Sequence, residues 1–145
     1  MRTRTTRSPS ETRSLGRELA RELVPDGTLL LTGDLGSGKT VLAQGVGEEL
    51  GLAPEAVVSP TFTLIAEHEA PGGRLIHADL YRLEPAEVEA LGLEELLSGG
   101  GVKVVEWAER LPFSVPGARH AHLVRLADGS RRIEERLETN GSLDD

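Results

Sequence analysis

A glycine-rich segment, Gly33-Asp34-Leu35-Gly36-Ser37-Gly38-Lys39-Thr40, combines residue types that bind phosphate. It fits the pattern G-x-x-x-x-G-K-[ST], in which backbone N–H groups surround a phosphate. An apolar run at residues 28–32 precedes it, and apolar residues at helical spacing follow it up to Leu50. A strand, a glycine-rich loop and a helix N-terminus are the context that this motif requires. The segment is therefore predicted to be a P-loop that binds a nucleoside triphosphate, with Lys39 on its phosphates and the Thr40 hydroxyl on Mg²⁺.

Two carboxylates end apolar runs elsewhere in the chain. Asp79 ends Leu75-Ile76-His77-Ala78-Asp79, and Glu106 ends Val102-Lys103-Val104-Val105-Glu106. Nucleotide hydrolysis needs a carboxylate at the end of a neighbouring strand, where it holds the metal shell or orients the attacking water. If both strands lie parallel to residues 28–32, both carboxylates reach the edge of the sheet that carries the P-loop. Glu106 is the preferred metal or water ligand because its strand is more continuously apolar, but the division of roles stays open.

The segment Ser59-Pro60-Thr61-Phe62-Thr63 lies between the P-loop helix and the next strands. In P-loop switch proteins a segment in this place senses the γ-phosphate through a threonine hydroxyl. An equally good interpretation is a turn that enters a β-branched strand. Spacing alone does not separate the two.

Four histidines and one tryptophan are the remaining candidates for chemistry. His120 and His122 are predicted to share one strand face, but the chain has no cysteine and offers no third ligand at suitable spacing, so metal binding by the histidines is not favoured. Trp107 directly follows Glu106 and is interpreted as a core residue, with a partner surface as the alternative.

Alternating strands and helices must position these residues. Ser8, Pro9 and Glu11 predict a helix start with a capping box, and Pro25-Asp26-Gly27 predicts its end. Gly45 and Gly47 lie inside the P-loop helix, where glycine is unfavourable, and indicate close packing against a neighbour. The remaining predictions are an edge strand at 2–6, a hairpin at 61–67 and 74–79 with a turn at 69–73, helical segments at 84–91 and 93–97, a strand at 102–107, and a closing hairpin at 120–126 and 131–137.

Composition limits the classes of partner. The chain has 145 residues and a net charge of −8, which argues against nucleic-acid binding across the whole surface. Six arginines nevertheless crowd the first 21 residues and indicate either a solvated arginine face or a contact with RNA or an acidic protein. No apolar run approaches the length of a membrane span, and no signal-peptide core follows the start, so we expect a cytoplasmic protein with no membrane or DNA partner.

Four motifs in order make the sequence recognisable. They are Gly33-Asp-Leu-Gly-Ser-Gly-Lys-Thr40, Ser59-Pro-Thr-Phe-Thr-Leu64, His77-Ala-Asp-Leu-Tyr-Arg-Leu83 and Val105-Glu-Trp107. Over residues 8–110 the chain resembles the bacterial TsaE (YjeE) family, the small P-loop ATPases of tRNA threonylcarbamoyladenosine biosynthesis. Ser37 stands where alanine is commonest in the family, and Ala108 where proline is frequent.

The resemblance implies a fold, an activity and partners. We predict a P-loop NTPase-like, three-layer α/β fold with a mixed, mainly parallel central sheet and a C-terminal β-hairpin. Residues 1–138 would form a single P-loop ATPase domain, and residues 139–145 a disordered acidic tail. The implied activity is ATP and Mg²⁺ binding with slow hydrolysis in support of TsaD and TsaB, so that tRNA is contacted only through the complex. TsaD, and not this chain, would transfer the threonylcarbamoyl group to the adenosine beside the anticodon.

The resemblance also assigns roles to residues. Lys39, Asp79 and Glu106 would be catalytic, and Thr40 and Glu106 would be associated with Mg²⁺. Glu11 and Thr12 resemble an element near the adenine, and Thr61 belongs to the segment near the nucleotide. The other implied nucleotide contacts come from the P-loop and the residue after it: Gly33, Asp34, Leu35, Gly36, Ser37, Gly38, Lys39, Thr40 and Val41.

Two other functions stay open. A small-molecule kinase usually needs an arginine-bearing lid, and the insertion-like residues 84–101 contain no arginine. A nucleotide-dependent scaffold or switch without essential hydrolysis is harder to separate from an ATPase. A GTPase is not favoured, because the chain has neither an N-K-x-D guanine-reading motif nor a D-x-x-G strand end.

Overall fold

A mixed β-sheet runs through the molecule between two layers of helices. The computed structural model describes residues 1–57, 65–139 and 142–143. The strands are β1 (Arg2–Thr6), β2 (Thr28–Gly33), β3 (Ile65–Ala70), β4 (Gly73–Asp79), β5 (Val102–Glu106), β6 (Arg119–Arg125), β7 (Arg131–Thr139) and β8 (Ser142–Leu143). The helices are α1 (Pro9–Leu23), α2 (Lys39–Leu50), α3 (Pro85–Ala90) and α4 (Leu93–Leu97), with 3₁₀ turns at Pro54–Ala56 and Ala108–Arg110.

The sheet is parallel at its centre and antiparallel at both sides. Its order is β1-β7-β6-β2-β5-β4-β3, and β8 pairs with the end of β7. β2 is parallel to β5 and to β6, and β4 is parallel to β5, whereas β1–β7, β6–β7 and β3–β4 are antiparallel. Glu106 lies opposite Leu31 of β2 on one side and Asp79 of β4 on the other. The predicted mixed sheet and the meeting of both carboxylates at the P-loop edge are therefore confirmed.

Apolar residues fill the space on both faces of the sheet. Leu29 and Leu31 of β2 pack with the apolar faces of α1 and α2, and Leu30 between them packs with α3 and α4. Successive residues of a strand point to opposite faces, so a central strand covered on both sides is apolar throughout. The predicted three layers follow from this arrangement.

The start of α1 differs slightly from the predicted capping box. The Ser8 side chain accepts a hydrogen bond from the Glu11 N–H at 3.1 Å, and Pro9 takes the first helical position. The Glu11 carboxylate, however, accepts from the Arg7 N–H at 3.0 Å, one residue before the cap. The carboxylate thus ties the end of β1 to the helix instead of closing the box on Ser8.

Glycines allow α1 and α2 to cross in close contact. A Cβ at Gly45 would lie 2.1 Å from the Arg13 carbonyl oxygen and 2.9 Å from the Gly16 Cα. A Cβ at Gly47 would lie 2.6 Å from Cγ2 of Val57. The predicted close packing at both positions is confirmed, and it holds α2 at a fixed place behind the P-loop.

Several boundaries differ from the prediction. The turn between β3 and β4 contains only Pro71 and Gly72, because pairing extends to Ala70 and Gly73. The strand predicted to include Trp107 ends at Glu106, and the expected loose tail contains paired residues at its start, since Thr139 lies opposite Ser142. The segment 59–63, with Thr61, lies outside the described residues. Among those that are described, no helix is long and apolar enough to cross a membrane.

Candidate active site

A cavity of about 330 Å³ opens at the edge of the sheet where β2, β4 and β5 end. Four side chains with a predicted role in chemistry, those of Lys39, Thr40, Asp79 and Glu106, lie together in its wall. The full lining is Leu35, Gly36, Ser37, Gly38, Lys39, Thr40, Val41, Asp79, Tyr81, Arg82, Glu106, Trp107 and Arg131. The carboxyl ends of parallel strands meet at one edge, which brings together residues that are 66 positions apart in the chain.

The loop between β2 and α2 has the backbone of an anion cradle. Gly36 and Gly38 have φ angles of 77° and 105°, in the left-handed region that glycine adopts without steric cost. Gly38 is also the N-cap of α2, and no side chain caps the helix there. The Ser37 hydroxyl is buried and has no hydrogen-bond partner within the described part of the chain. Uncapped N–H groups at a helix N-terminus, with a free hydroxyl beside them, suit a phosphate.

Lys39 brings a buried positive charge to this loop. Its side chain is 5 % exposed, and Nζ donates to the carbonyl oxygens of Gly33 and, at 3.0 Å, of Asp34. Nζ also lies 4.2 Å from the centre of the Trp107 ring. Burial lowers the pKa of the Lys39 ammonium, and the nearby negative charge of Glu106 partly opposes that shift. The loop's own carbonyls and an aromatic face thus hold the cation in the cavity wall.

Glu106 joins the P-loop to the interior of the sheet. Thr40 Oγ1 donates to Oε1 of Glu106 at 2.8 Å, and His77 Nε2 lies 2.6 Å from Oε2. Glu106 is only 2 % exposed. The result is a hydroxyl oxygen and a carboxylate oxygen side by side at the start of α2, and hard oxygen ligands are those that Mg²⁺ prefers.

Asp79 ends β4 directly beside Glu106 and shapes the chain that follows. Its Oδ1 accepts the Tyr81 N–H at 3.0 Å, and the Leu80 N–H donates to the Glu106 carbonyl at 3.1 Å. These bonds turn the chain at the cavity, so that Tyr81 and Arg82 enter its wall. Asp79 is buried and lies directly opposite Glu106 in the parallel pairing of β4 with β5.

Trp107 packs against the core, as the sequence predicted, and also lines the cavity. Its φ of 60° is the only positive φ of a non-glycine residue in the described chain. That turn ends β5 and places the indole over Lys39, with its ring centre 4.8 Å from that of Tyr81. The residue is half-buried against the α3–α4 core, yet it also lines the cavity. Such backbone conformations cost free energy and cluster at functional sites.

A smaller recess of about 80 Å³ lies on the other side of Gly38. Thr12, which was expected near the adenine, is part of its wall, and Val41 and Arg131 line both this recess and the larger cavity. Glu11 lines neither, because its carboxylate turns to the Arg7 N–H. The wall of the recess consists of Arg7, Ser8, Pro9, Thr12, Gly38, Val41, Gly129 and Arg131.

Sequence reasoning did not assign several residues of this site. Tyr81 and Arg82 follow Asp79 closely in the chain, and this adjacency predicts that they lie near the same site. His77 belongs to the same motif as Asp79, but nothing in the sequence indicates its contact with Glu106. Arg131 had no signal, because its approach to the P-loop depends on the parallel pairing of β6 with β2. Within the described residues, no group of three or more His, Asp or Glu side chains has a metal-binding arrangement.

Three comparisons show what the chain is similar to. A sequence profile of the family described as "Threonylcarbamoyl adenosine biosynthesis protein TsaE" matches residues 6–136. The tRNA threonylcarbamoyladenosine biosynthesis protein TsaE of Nostoc sp. strain PCC 7120 is 43% identical over 85% of this chain and 78% of its own length. The protein of the same description from Bacillus subtilis strain 168 is 39% identical over 86% and 78%. The crystal structure of Bacillus subtilis YdiB superposes with a TM-score of 0.72 at 34% identity, covering 91% of this chain and 82% of that one.

Proposed function

The chain belongs to the TsaE family of threonylcarbamoyl adenosine biosynthesis proteins, and from that premise we propose that it is a Mg²⁺-dependent ATPase subunit. In this proposal it binds ATP, hydrolyses it slowly, and supports TsaD and TsaB in the threonylcarbamoyladenosine modification of tRNA. The main support for ATPase activity is the contact of Thr40 with Glu106 next to the P-loop, with Asp79 opposite Glu106 on the neighbouring strand.

The residues present fit a magnesium ion. Mg²⁺ in nucleotide enzymes keeps several waters and is bound through one or two carboxylates plus the phosphates of the substrate. Thr40 and Glu106 supply one hydroxyl and one carboxylate, already adjacent at 2.8 Å. When bound, the ion neutralises charge on the phosphate oxygens and orients them. A larger set of protein ligands is not required.

The loop supplies the phosphate contacts. Uncapped N–H groups at the start of α2 and the free Ser37 hydroxyl are donors for phosphate oxygens. Lys39 holds its ammonium among the same groups and would stabilise the negative charge of the β- and γ-phosphates. The recess that contains Thr12 and Val41 continues from the loop and is our proposed place for the adenine.

In this proposal the two carboxylates serve the hydrolysis of ATP. A water attacks the terminal phosphorus, the bond to the bridging oxygen of ADP breaks, and ADP and inorganic phosphate leave. Asp79 and Glu106 would orient that water and hold the metal's water shell. Glu106 is our proposed metal-shell residue because it contacts Thr40 directly, and we assign the orientation of the attacking water to Asp79.

The decisive variant is Glu106→Ala. We expect phosphate release to fall by about 10²-fold or more, because a positioned catalytic group is lost, while ADP still changes the fluorescence of Trp107, the chain's single tryptophan. Glu89→Ala, at an exposed position on α3, is the control and should keep full turnover. Retained turnover in Glu106→Ala would assign the essential carboxylate to Asp79. Equal fluorescence responses to ADP and GDP in the unmodified protein would contradict the proposal that the site is specific for adenine.

A further inference from the structure

His77 is a fully buried imidazole next to the proposed metal site, and none of the steps above uses it. It lies on β4 two residues before Asp79, with 0% of its surface exposed. Its Nε2 is 2.6 Å from Oε2 of Glu106. Because a carboxylate oxygen only accepts hydrogen bonds, Nε2 carries the hydrogen and donates it to Glu106.

The strand register places this contact behind the catalytic edge. His77 and Asp79 are two residues apart on β4 and therefore share one face of the sheet. Asp79 lies opposite Glu106 on the parallel strand β5, so the imidazole is one step further into the sheet than the carboxylate pair. His77 cannot reach the cavity itself, since it is absent from the lining and has no exposed surface. Any effect on the reaction must pass through Glu106.

The two oxygens of Glu106 consequently have different partners. Oε2 accepts from His77, and Oε1 accepts from Thr40 at the P-loop. A glutamate side chain has several rotatable bonds, and a hydrogen bond to one oxygen restricts the direction of the other. Partners of this kind behind a metal-site carboxylate orient it and commonly matter almost as much as the ligand.

We propose that His77 is a positioning residue for Glu106. By holding Oε2, it directs Oε1 toward the Thr40 hydroxyl and the proposed Mg²⁺ position. This inference rests on the proposed function of the site. A merely structural imidazole would stabilise the sheet but would not change the response to Mg²⁺ selectively.

The test compares a variant that removes the donor with one that keeps it. His77→Leu fills the volume without a donor, and His77→Gln places an amide N–H near the position of Nε2. Trp107 fluorescence gives the ADP affinity in EDTA and the Mg²⁺ concentration at half-maximal response with ADP, and phosphate release gives kcat and KM. His68→Leu on the neighbouring strand β3 is the matched control.

We expect His77→Leu to raise the half-maximal Mg²⁺ concentration about tenfold and to lower kcat about 10- to 100-fold, with KM for the nucleotide and the ADP affinity in EDTA unchanged. His77→Gln should recover most of both losses. Should His77→Leu not fold, His77→Asn replaces it, because its shorter amide does not reach Oε2 and should show the same losses.

The outcomes separate this inference from the proposed function. Absence of any Mg²⁺-dependent response in the unmodified protein would overturn the proposed function itself. A normal Mg²⁺ response and normal kcat in His77→Leu would overturn only the role of His77. Equal losses in the Leu and Gln variants, extending to ADP binding in EDTA, would show that His77 is structural and would also overturn the inference.

Discussion

At the level of one residue, the positive charge of Lys39 is held in the cavity wall by neutral groups. Its ammonium is buried, donates to two carbonyl oxygens of its own loop and lies against the face of Trp107. Carbonyl oxygens and an aromatic face stabilise a cation less than an ion pair does. A phosphate therefore offers Lys39 a stronger partner than those it has, and burial makes that interaction more valuable.

The lowered pKa of Lys39 predicts a pH dependence. Burial, opposed by Glu106, moves this pKa below its ordinary value of 10.5. Below the shifted pKa the ammonium is present and attracts phosphate, and above it the amine is neutral. The ADP phosphates are already ionised above neutral pH. We therefore expect ADP affinity, measured by Trp107 fluorescence, to fall as the pH rises above neutral, at a lower pH than an ordinary lysine would require.

Two lysine variants check the source of this decline. Lys39→Met should bind ADP at least about tenfold more weakly and lose the alkaline decline, because the titrating charge is gone. Lys103→Met is the matched control: Lys103 is also buried with a lowered pKa, but it lies near the amino-terminal end of β5, opposite Thr28 at the start of β2. It should keep the decline. A flat profile in the unmodified protein would contradict the assignment to Lys39.

At the level of elements, the crossing of α1 and α2 determines where the P-loop lies. The N-terminus of α2 forms the proposed phosphate site, and the N-terminus of α1 forms part of the smaller recess. Both ends belong to helices that touch backbone to backbone at Gly16 and Gly45. A side chain at this crossing would separate the helices and with them the two halves of the proposed nucleotide site.

Gly45→Ala tests the crossing. In a helix interior alanine is more favourable than glycine by about 1 kcal/mol. At this position, however, the alanine Cβ would lie 2.1 Å from the Arg13 carbonyl oxygen. Overpacking against backbone costs about 1–3 kcal/mol beyond that, so we expect net destabilisation in chemical denaturation and weaker ADP binding. Gly100→Ala is the control, because its nearest neighbour would be 3.5 Å away. Greater stability of Gly45→Ala would show that the helices can move apart freely.

At the level of the whole molecule, the two ends of the chain lie together and the basic N-terminus is largely neutralised. β1 pairs with β7, and Arg2 contacts the buried Glu135 at 2.5 Å and Glu22 at 3.1 Å. The other ion pairs of the arginine-rich start include Arg4–Glu18, Arg4–Glu135, Arg13–Glu48, Arg17–Glu48 and Arg21–Glu49. These partly exposed ion pairs favour the predicted solvated arginine face over an RNA-binding one. Arg7 lines the small recess.

The partner proposal also belongs to this scale. We expect the protein to co-purify with TsaD and TsaB when ATP is present, and Lys39→Met to do so poorly. Size-exclusion chromatography of the three proteins with ATP, with ADP and without nucleotide measures this. No association in any nucleotide state would count against the partner proposal. Full support of tRNA modification by the hydrolysis-deficient Glu106→Ala would instead favour the nucleotide-dependent scaffold.

Much of the site could be predicted because its signals are local. The P-loop spacing, the apolar strands before Asp79 and Glu106, and the helix cap at Ser8 each depend on neighbours within a few residues, and the structure contains these elements. The boundaries were less accurate: β5 ends before Trp107, and the Glu11 carboxylate reaches Arg7 instead of Ser8. The exact end of a strand and the partner of a capping side chain each depend on small differences in free energy between alternative hydrogen bonds, and these differences cannot be read from the sequence.

The sequence by itself determined a strand, a glycine-rich loop and a helix, with two carboxylates at strand ends, because periodicity and spacing encode these features directly. Only the tertiary structure decided that Glu106 would be held between Thr40 and His77, and that Arg131 would reach the P-loop. Those contacts depend on strand order and register across the sheet. Register is set by the packing of both faces at once, and no single segment of the chain contains that information.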